Sequence, residues 1–305
     1  MENGLAGLRA ALGTRAKASE RLGPHTTLRV GGLADLFVQA RTIDELVEFV
    51  RLARQHGVPF FILGNGSNIL VLDGGLRGLV IENHCDAMTL NVTNSEQAVV
   101  SVESGASLPG VANRLARQGW SGLEWAIGVP GTLGGAVAGN AGAHGGAIAD
   151  RVIAVAILDA NSETRELPKT DCAFEYRTSR FKHSKSEIVL RAEFEMTRDD
   201  PAACIARMNE YTDHRRHTQP TEPSVGSMFK NPPGDYAGRL IEQAGLKGTR
   251  VGNVQVSRVH ANFFVNLGGA TANQVVQLVE IALRAVREKF GVELELEIEV
   301  VGEPG

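Results

Sequence analysis

Apolar and polar positions along the chain repeat with two periods, one suited to strands and one to helices. Leu33–Gln39 is a short apolar run that reads as a strand. Thr42 then opens a T-x-x-E capping box with Glu45, and Ile43, Leu46, Val47 and Val50 recur at helical spacing. Pro59–Leu63 reads as a buried strand and runs straight into Gly64-Asn65-Gly66-Ser67-Asn68, with further strands expected around Ile69–Leu72 and Leu79–Ile81. The opening residues to about Arg21 predict a short amphipathic helix, weakened by Gly4, Gly7 and Gly13. Together these elements predict one small α/β unit over residues 1–90.

A second unit, residues 91–198, opens with strand residues at Val100–Glu103 and a helix near Leu108–Gln118, and returns to strands at Val152–Leu158 and Ile188–Phe194. Arg198-Asp199-Asp200-Pro201 marks a boundary, because charge and proline disfavour continuing a strand or helix through it. The third unit, residues 199–305, contains a long helix starting at Thr271 with Gln274 as capping partner. Val275, Val279, Ala282, Val286 and Phe290 form its apolar face, and Gly291 ends it. Strict alternation from Val292 to Val300 then predicts a strand, with Glu293, Glu295, Glu297 and Glu299 on one side.

Composition narrows the function classes. The 305 residues carry 31 basic and 35 acidic side chains, with no basic block, which argues against nucleic-acid binding. No apolar run is long enough to span a bilayer, and the N-terminus lacks a secretory pattern, so a cytoplasmic protein without membrane insertion is expected. Cys85, Cys172 and Cys204 are scattered and odd in number, as reduced thiols would be. The one excess is glycine, 35 residues, and it is clustered.

Gly64–Asn68 follows a strand, as a phosphate loop should, and its backbone amides can converge on an anion. Ile69 stands where a dinucleotide fingerprint has its third glycine, so a tight turn explains the segment equally well. The segment Gly128–Gly146, GVPGTLGGAVAGNAGAHGG, gives up much conformational entropy on ordering. Backbone contact with a pyrophosphate or flat cofactor is its expected use, and a tightly packed connection is the alternative. Two such segments in successive units predict a large dinucleotide between them. His214 and His217 have no further ligand to complete a metal set, and no metal is expected.

Six segments in order carry a more specific signal: HTTLRVGG from His25, ILGNGSNILV from Ile62, GVPGTLGGAVAGNAGAHG from Gly128, YRTSRFK from Tyr176, GSMFKNP from Gly226, and the terminal ELELEIEVVG. Read together they resemble the MurB family of UDP-N-acetylenolpyruvoylglucosamine reductases, in its shorter form without an extra substrate loop. The resemblance implies an α+β chain: a two-part FAD-binding module of the vanillyl-alcohol-oxidase (PCMH) type plus a C-terminal α/β substrate-binding domain. It implies non-covalent FAD held by Gly64, Asn65, Gly66, Ser67 and Asn68 and by Gly128, Val129, Pro130, Gly131, Gly134, Gly135, Asn140, Ala141 and Gly142. NADPH is the implied co-substrate and a UDP-sugar the small-molecule partner; no protein partner is indicated.

The implied reaction reduces an enolpyruvyl ether to a D-lactyl ether. Hydride addition to the β-carbon pushes charge onto the substrate carboxylate, and Arg177 matches the residue that stabilises it. Ser227 matches the proton donor to the α-carbon, with Lys230 as the nearby positive charge a weak acid needs. Glu297 matches the third catalytic residue, although Leu296 and Glu299 depart from the family pattern and a two-residue slip nominates Glu295. Tyr176, Arg215, Lys230 and Asn231 match positions that approach substrate. The alternatives are another FAD oxidoreductase of the same fold and a nucleotide-sugar binding protein without catalysis.

Overall fold

The computed structural model describes residues 2–184 and 186–305. In the first unit, helix α1 (Glu2–Leu12) is followed by β1 (Lys17–Arg21), β2 (Leu33–Ala40), α2 (Ile43–Gln55), β3 (Phe60–Leu63), β4 (Ile69–Val71) and β5 (Leu76–Asn83). The expected N-terminal helix therefore stops at Leu12, and Lys17–Arg21 instead pairs antiparallel with β2. The edge of an existing sheet supplies hydrogen bonds that a glycine-interrupted helix end could not match. Sheet order is β1-β2-β5-β3, with β5 parallel to both β2 and β3. Half of the predicted capping box forms: the Glu45 amide donates to Thr42 Oγ1, but the Glu45 carboxylate accepts from the Arg41 amide, one residue before the cap, in place of the Thr42 amide.

The second unit comprises β6 (Met88–Val92), β7 (Gln97–Glu103), α3 (Leu108–Arg117), β8 (Trp120–Ser121), α4 (Leu133–Ala138), β9 (Gly142–Ala143), β10 (Gly146–Ala147), α5 (Ile148–Arg151), β11 (Val152–Leu158), β12 (Thr164–Pro168), α6 (Arg180–His183) and β13 (Ile188–Arg198). Its antiparallel sheet runs β12-β11-β13-β7-β6, and alternate residues of β7 and β13 bury Val100, Val102, Ala192 and Phe194 beneath α3 and α4. The glycine-rich segment is not one loop. It contains α4 and the tight hairpin β9–β10, because Leu133, Ala136 and Val137 present enough apolar surface to anchor a short helix.

The chain continues with α7 (Pro201–Thr218), α8 (Ala237–Gln243), β14 (Arg250–Val251), β15 (Val254–Val256), β16 (Phe264–Asn266), α9 (Ala272–Phe290) and β17 (Glu299–Val301). Proline ends the preceding strand but starts α7, whose first turn Asp200 caps through the Ala202 amide. The buried face of α7, Cys204 and Met208, packs on Ala116 and Ile127 of the second unit. The residues after it form their own core around α9, joined by Leu28, Val30 and Leu70 from the first unit. Thr271 and Gln274 form the predicted capping box, and Gly291 closes α9 at φ +67°.

The alternation in Val292–Val300 yields a shorter strand than its pattern predicts. Only Glu299–Val301 pairs regularly, parallel to β4. Upstream, Leu294 and Ile298 are buried as an apolar face requires, but the backbone partner is the irregular segment 228–230. The Glu297 amide donates to the Met228 carbonyl (2.9 Å) and the Lys230 amide to the Glu295 carbonyl (2.8 Å). No described helix is long and apolar enough to cross a membrane.

Candidate active site

The two glycine segments meet although about seventy residues separate them. Gly64 lies so close to Thr132 that a Cβ would sit 2.4 Å from its Oγ1, and Ser67 Oγ donates to the Pro130 carbonyl at 3.0 Å. Gly66, at φ +58°, rests on the backbone of His25 and Thr26, and its carbonyl accepts the Thr27 amide at 3.1 Å. This seam leaves a distinctive residue of polarity. Among the described residues, the amides of Asn65, Gly66, Ser67 and Gly131 donate to no protein acceptor. Several such free N–H groups on two adjoining loops are the donor set an anion cradle needs, and their chemistry fits a pyrophosphate. Gly134 and Asn140 hold the second loop in place: the Gly134 amide donates to Ser104 O at 2.8 Å, while Asn140 ties the Glu175 carbonyl to the Ala149 amide.

At the far end of this seam the YRTSRFK segment turns sharply. Glu175 and Thr178 bond each other through both amides, which places Tyr176 and Arg177 at the tip of a two-residue turn. Arg177 takes φ +58°, a conformation more natural to glycine at that turn position. Its Nη1 donates to the Gly142 carbonyl at 2.9 Å, and its Nε stands 3.0 Å from Glu297 Oε1. That N–H is out of line with the carboxylate, so Arg177 Nε and Trp125 Nε1 are the two buried side-chain nitrogens without a hydrogen-bond partner among the described residues. Both border the β9–β10 hairpin, since Trp125 packs against Gly146. Unsatisfied donors gathered in one place are what a polar ligand would satisfy.

Glu297 is brought here by the backbone pairing with Met228, and Asn68 Nδ2 donates to its carbonyl at 3.2 Å. Burial pushes its carboxyl above the usual range, while Arg177, Lys182 and Lys230 pull it back. Glu295 has a different environment: its side chain is 75% exposed and pairs with Lys230 at 3.0 Å. Of the two glutamates, Glu297 is the one that faces Arg177, and Glu295 pairs with Lys230.

Ser227 sits one residue from Met228, bridged to Phe263, and follows Gly226, which has open space around it. The same irregular segment carries Met228, whose carbonyl takes the Glu297 amide, and Lys230, whose charge bears on the Glu297 carboxyl; Ser227 precedes Met228 by one position. Arg215 lies across Gly128, where a Cβ would meet its side chain at 2.1 Å, and burial lowers its pKa. Tyr176 is 59% exposed beneath the Arg177 guanidinium. Asn231 has another use here, accepting the Ala237 amide at the start of α8. His214 turns its ring edge to His144 and His217 accepts no second ligand, bonding the Asp213 carbonyl instead. Sequence reasoning quoted Lys182 within its motif without giving it a role, yet its Nζ donates to the Arg177 carbonyl at 3.2 Å. Three cations, Arg177, Arg180 and Lys182, within the seven residues of YRTSRFK were the available signal.

Amides poised for a dinucleotide beside a cation–carboxylate cluster define a flavin-dependent oxidoreductase, and residues 34–168 match the FAD binding domain family. Residues 219–301 match the C-terminal domain of UDP-N-acetylenolpyruvoylglucosamine reductase. The chain is 45% identical over 289 residues to the enzyme of that name from Rubrobacter xylanophilus, covering 95% of this chain and 96% of the relative. It is 43% identical to the Anoxybacillus flavithermus enzyme, covering 97% of each. The crystal structure of the Thermus caldophilus reductase superposes with a TM-score of 0.78 at 37% identity, covering 94% of this chain and 98% of that one. The chain belongs to the UDP-N-acetylenolpyruvoylglucosamine reductase family.

Proposed function

We propose that Arg177, Ser227 and Glu297 carry the reduction of UDP-N-acetylglucosamine enolpyruvate to UDP-N-acetylmuramate, the activity of this family in peptidoglycan precursor synthesis. The chemistry that bound FAD would supply is hydride transfer, with NADPH as the source and the enolpyruvyl β-carbon as the destination. The amides of Asn65–Ser67 and Gly131 would hold its pyrophosphate, with Asn68, Gly128–Pro130, Gly134, Gly135 and Asn140–Gly142 shaping the rest of its bed. Arg177 presents a guanidinium to the substrate carboxylate, where charge accumulates as the β-carbon is reduced. Glu297, as its carboxylate, keeps that guanidinium oriented toward the substrate. Ser227 delivers a proton to the α-carbon, its acidity raised by the ammonium of Lys230. Arg215 and Tyr176 are assigned to the nucleotide-sugar portion. Asn231, occupied at α8, is assigned to shaping the loop that carries Lys230.

The observation that carries this reading is the meeting of Arg177 and Glu297, 120 positions apart, at the end of the amide cradle. We place the protein in the cytoplasm, where nucleotide sugars are made; its three free, buried cysteines agree with a reducing compartment. The test is spectroscopic. Purified protein should be yellow, bleached by NADPH, and recoloured without oxygen by UDP-N-acetylglucosamine enolpyruvate. Ser227→Ala should still bleach while recolouring slows by roughly 100-fold or more. Normal recolouring in that variant removes Ser227 from the proton transfer, and a protein recoloured only by oxygen leaves the substrate assignment without support.

A further inference from the structure

We propose that Lys182 is a positioning residue of the reductase site: its ammonium fixes the turn that carries Arg177 and supplies the charge that keeps Glu297 available beside it. The inference rests on the roles given above to Arg177 and Glu297.

Three observations converge on this lysine. Arg177 occupies a left-handed conformation that strains a non-glycine residue, and such conformations persist only where the surroundings over-determine them. The Glu175–Thr178 amide pair closes the turn, and Lys182 Nζ caps the Arg177 carbonyl from inside at 3.2 Å. The peptide that orients the guanidinium is thus pinned on the side facing the site. Second, Lys182 is half-buried, although an exposed position would spare a lysine its desolvation cost. Burial, then Lys230, lower its pKa, Glu297 and Glu299 raise it, and Arg177 lowers it. Those four groups are the charges that face it. Third, Glu297 is held down by the same trio of cations, Arg177, Lys182 and Lys230. Arg177 and Lys230 each have another carboxylate or carbonyl to serve, Gly142 O and Glu295, whereas among the described residues the hydrogen bond of Lys182 goes to Arg177 itself.

The arrangement has a chemical consequence. A carboxylate-bearing substrate entering beside Glu297 would meet like charge, and a second cation behind Arg177 offsets it. Lys182 does this without touching substrate.

The test compares Lys182→Met and Lys182→Arg with wild-type holoenzyme. With glutamate labelled at its carboxyl carbon, the Glu297 signal is identified by its loss in Glu297→Gln and titrated without substrate. Removing this cation should raise the Glu297 midpoint by roughly one pH unit in Lys182→Met, with little change in Lys182→Arg. In the same variants, flavin reduction by NADPH should stay near wild type while reoxidation by the enolpyruvyl substrate falls by about 10-fold or more in Lys182→Met. An unmoved Glu297 titration in a folded, FAD-loaded Lys182→Met overturns the proposal, as does a shift shared equally by Lys182→Arg. Should Lys182→Met not fold, Lys182→Gln carries the same titration. Failure of the wild-type enzyme to be recoloured would overturn the assigned reaction instead, and the substrate-free titration would still decide Lys182.

Discussion

Gly66 offers a sharp test of the cofactor cradle, because its cost can be divided using a second glycine. Both Gly66 and Gly57 are left-handed, at φ +58° and +63°, so alanine pays the same backbone penalty at each, about 1 kcal/mol. Their surroundings differ. At Gly57 a Cβ meets nothing within 4 Å, whereas at Gly66 it would stand 2.5 Å from His25 O and 2.7 Å from Thr26 Cα. Those are backbone atoms, which cannot swing aside, and forcing an extra carbon into such a site costs about 1–3 kcal/mol more. Gly57→Ala should lower Tm by roughly 2 °C and Gly66→Ala by roughly 4–10 °C. Relief of the clash must move the Gly66 peptide away from Thr26, taking the unpaired amides of Asn65–Ser67 with it. FAD affinity, followed by flavin fluorescence, should therefore fall about 10-fold or more in Gly66→Ala and stay unchanged in Gly57→Ala. If Gly66→Ala bound FAD as the wild type does while losing the expected stability, the loop would not be the phosphate cradle. If it lost neither, the close approach itself would be wrong.

The two glutamates separate cleanly: Glu297→Gln should reduce turnover by roughly 100-fold, and Glu295→Gln, which loses only an exposed pair with Lys230, should stay within about a factor of three. Since burial raises the Glu297 carboxyl, it stays protonated to a higher pH than an ordinary glutamate, so the acid-side midpoint of the substrate half-reaction should lie above the usual carboxylate range and disappear in Glu297→Gln. Asp73 accepts the Ala272 and Asn273 amides at 2.9 Å each, capping α9 from the first unit; Asp73→Ala should cost about 1 kcal/mol, read by urea unfolding. The three thiols should resist a thiol reagent in the native state near neutral pH, because burial pushes Cys85 to about 12 and Cys172 and Cys204 to about 11, and the thiolate appears only well above neutrality. Rapid labelling of any of them before denaturation would contradict that burial.

Much of this protein was legible before its fold was known, and the legible parts share a physical character. Thr42 with Glu45, Thr271 with Gln274, and Gly291 act within four residues of themselves, so their geometry follows from backbone bonds that any surrounding structure leaves intact. The apolar face of α9 and the glycine clusters are likewise local facts. Motif order was enough to point to the family, its cofactor and its candidate residues.

Tertiary structure decided what local pattern leaves equal. Alternation from Val292 to Val300 places four glutamates on one side without distinguishing them; Glu297 differs from Glu295 only because its amide pairs with Met228 and its side chain meets Arg177. The same pattern overstates the strand, since alternation records which side is apolar and not which backbone will pair. Lys182 looks like a surface cation until the turn at Arg177 folds back over it. The sequence by itself determined the long amphipathic helices α2 and α9, the residues that start and stop them, and the inventory of chemical groups, because short-range sterics and hydrogen bonds suffice for those. Which carboxylate is buried, which cation supports which, and where two glycine segments leave their amides free depended on contacts between residues as far as 229 positions apart, and the desolvation and charge that distinguish such groups arise only when those contacts form.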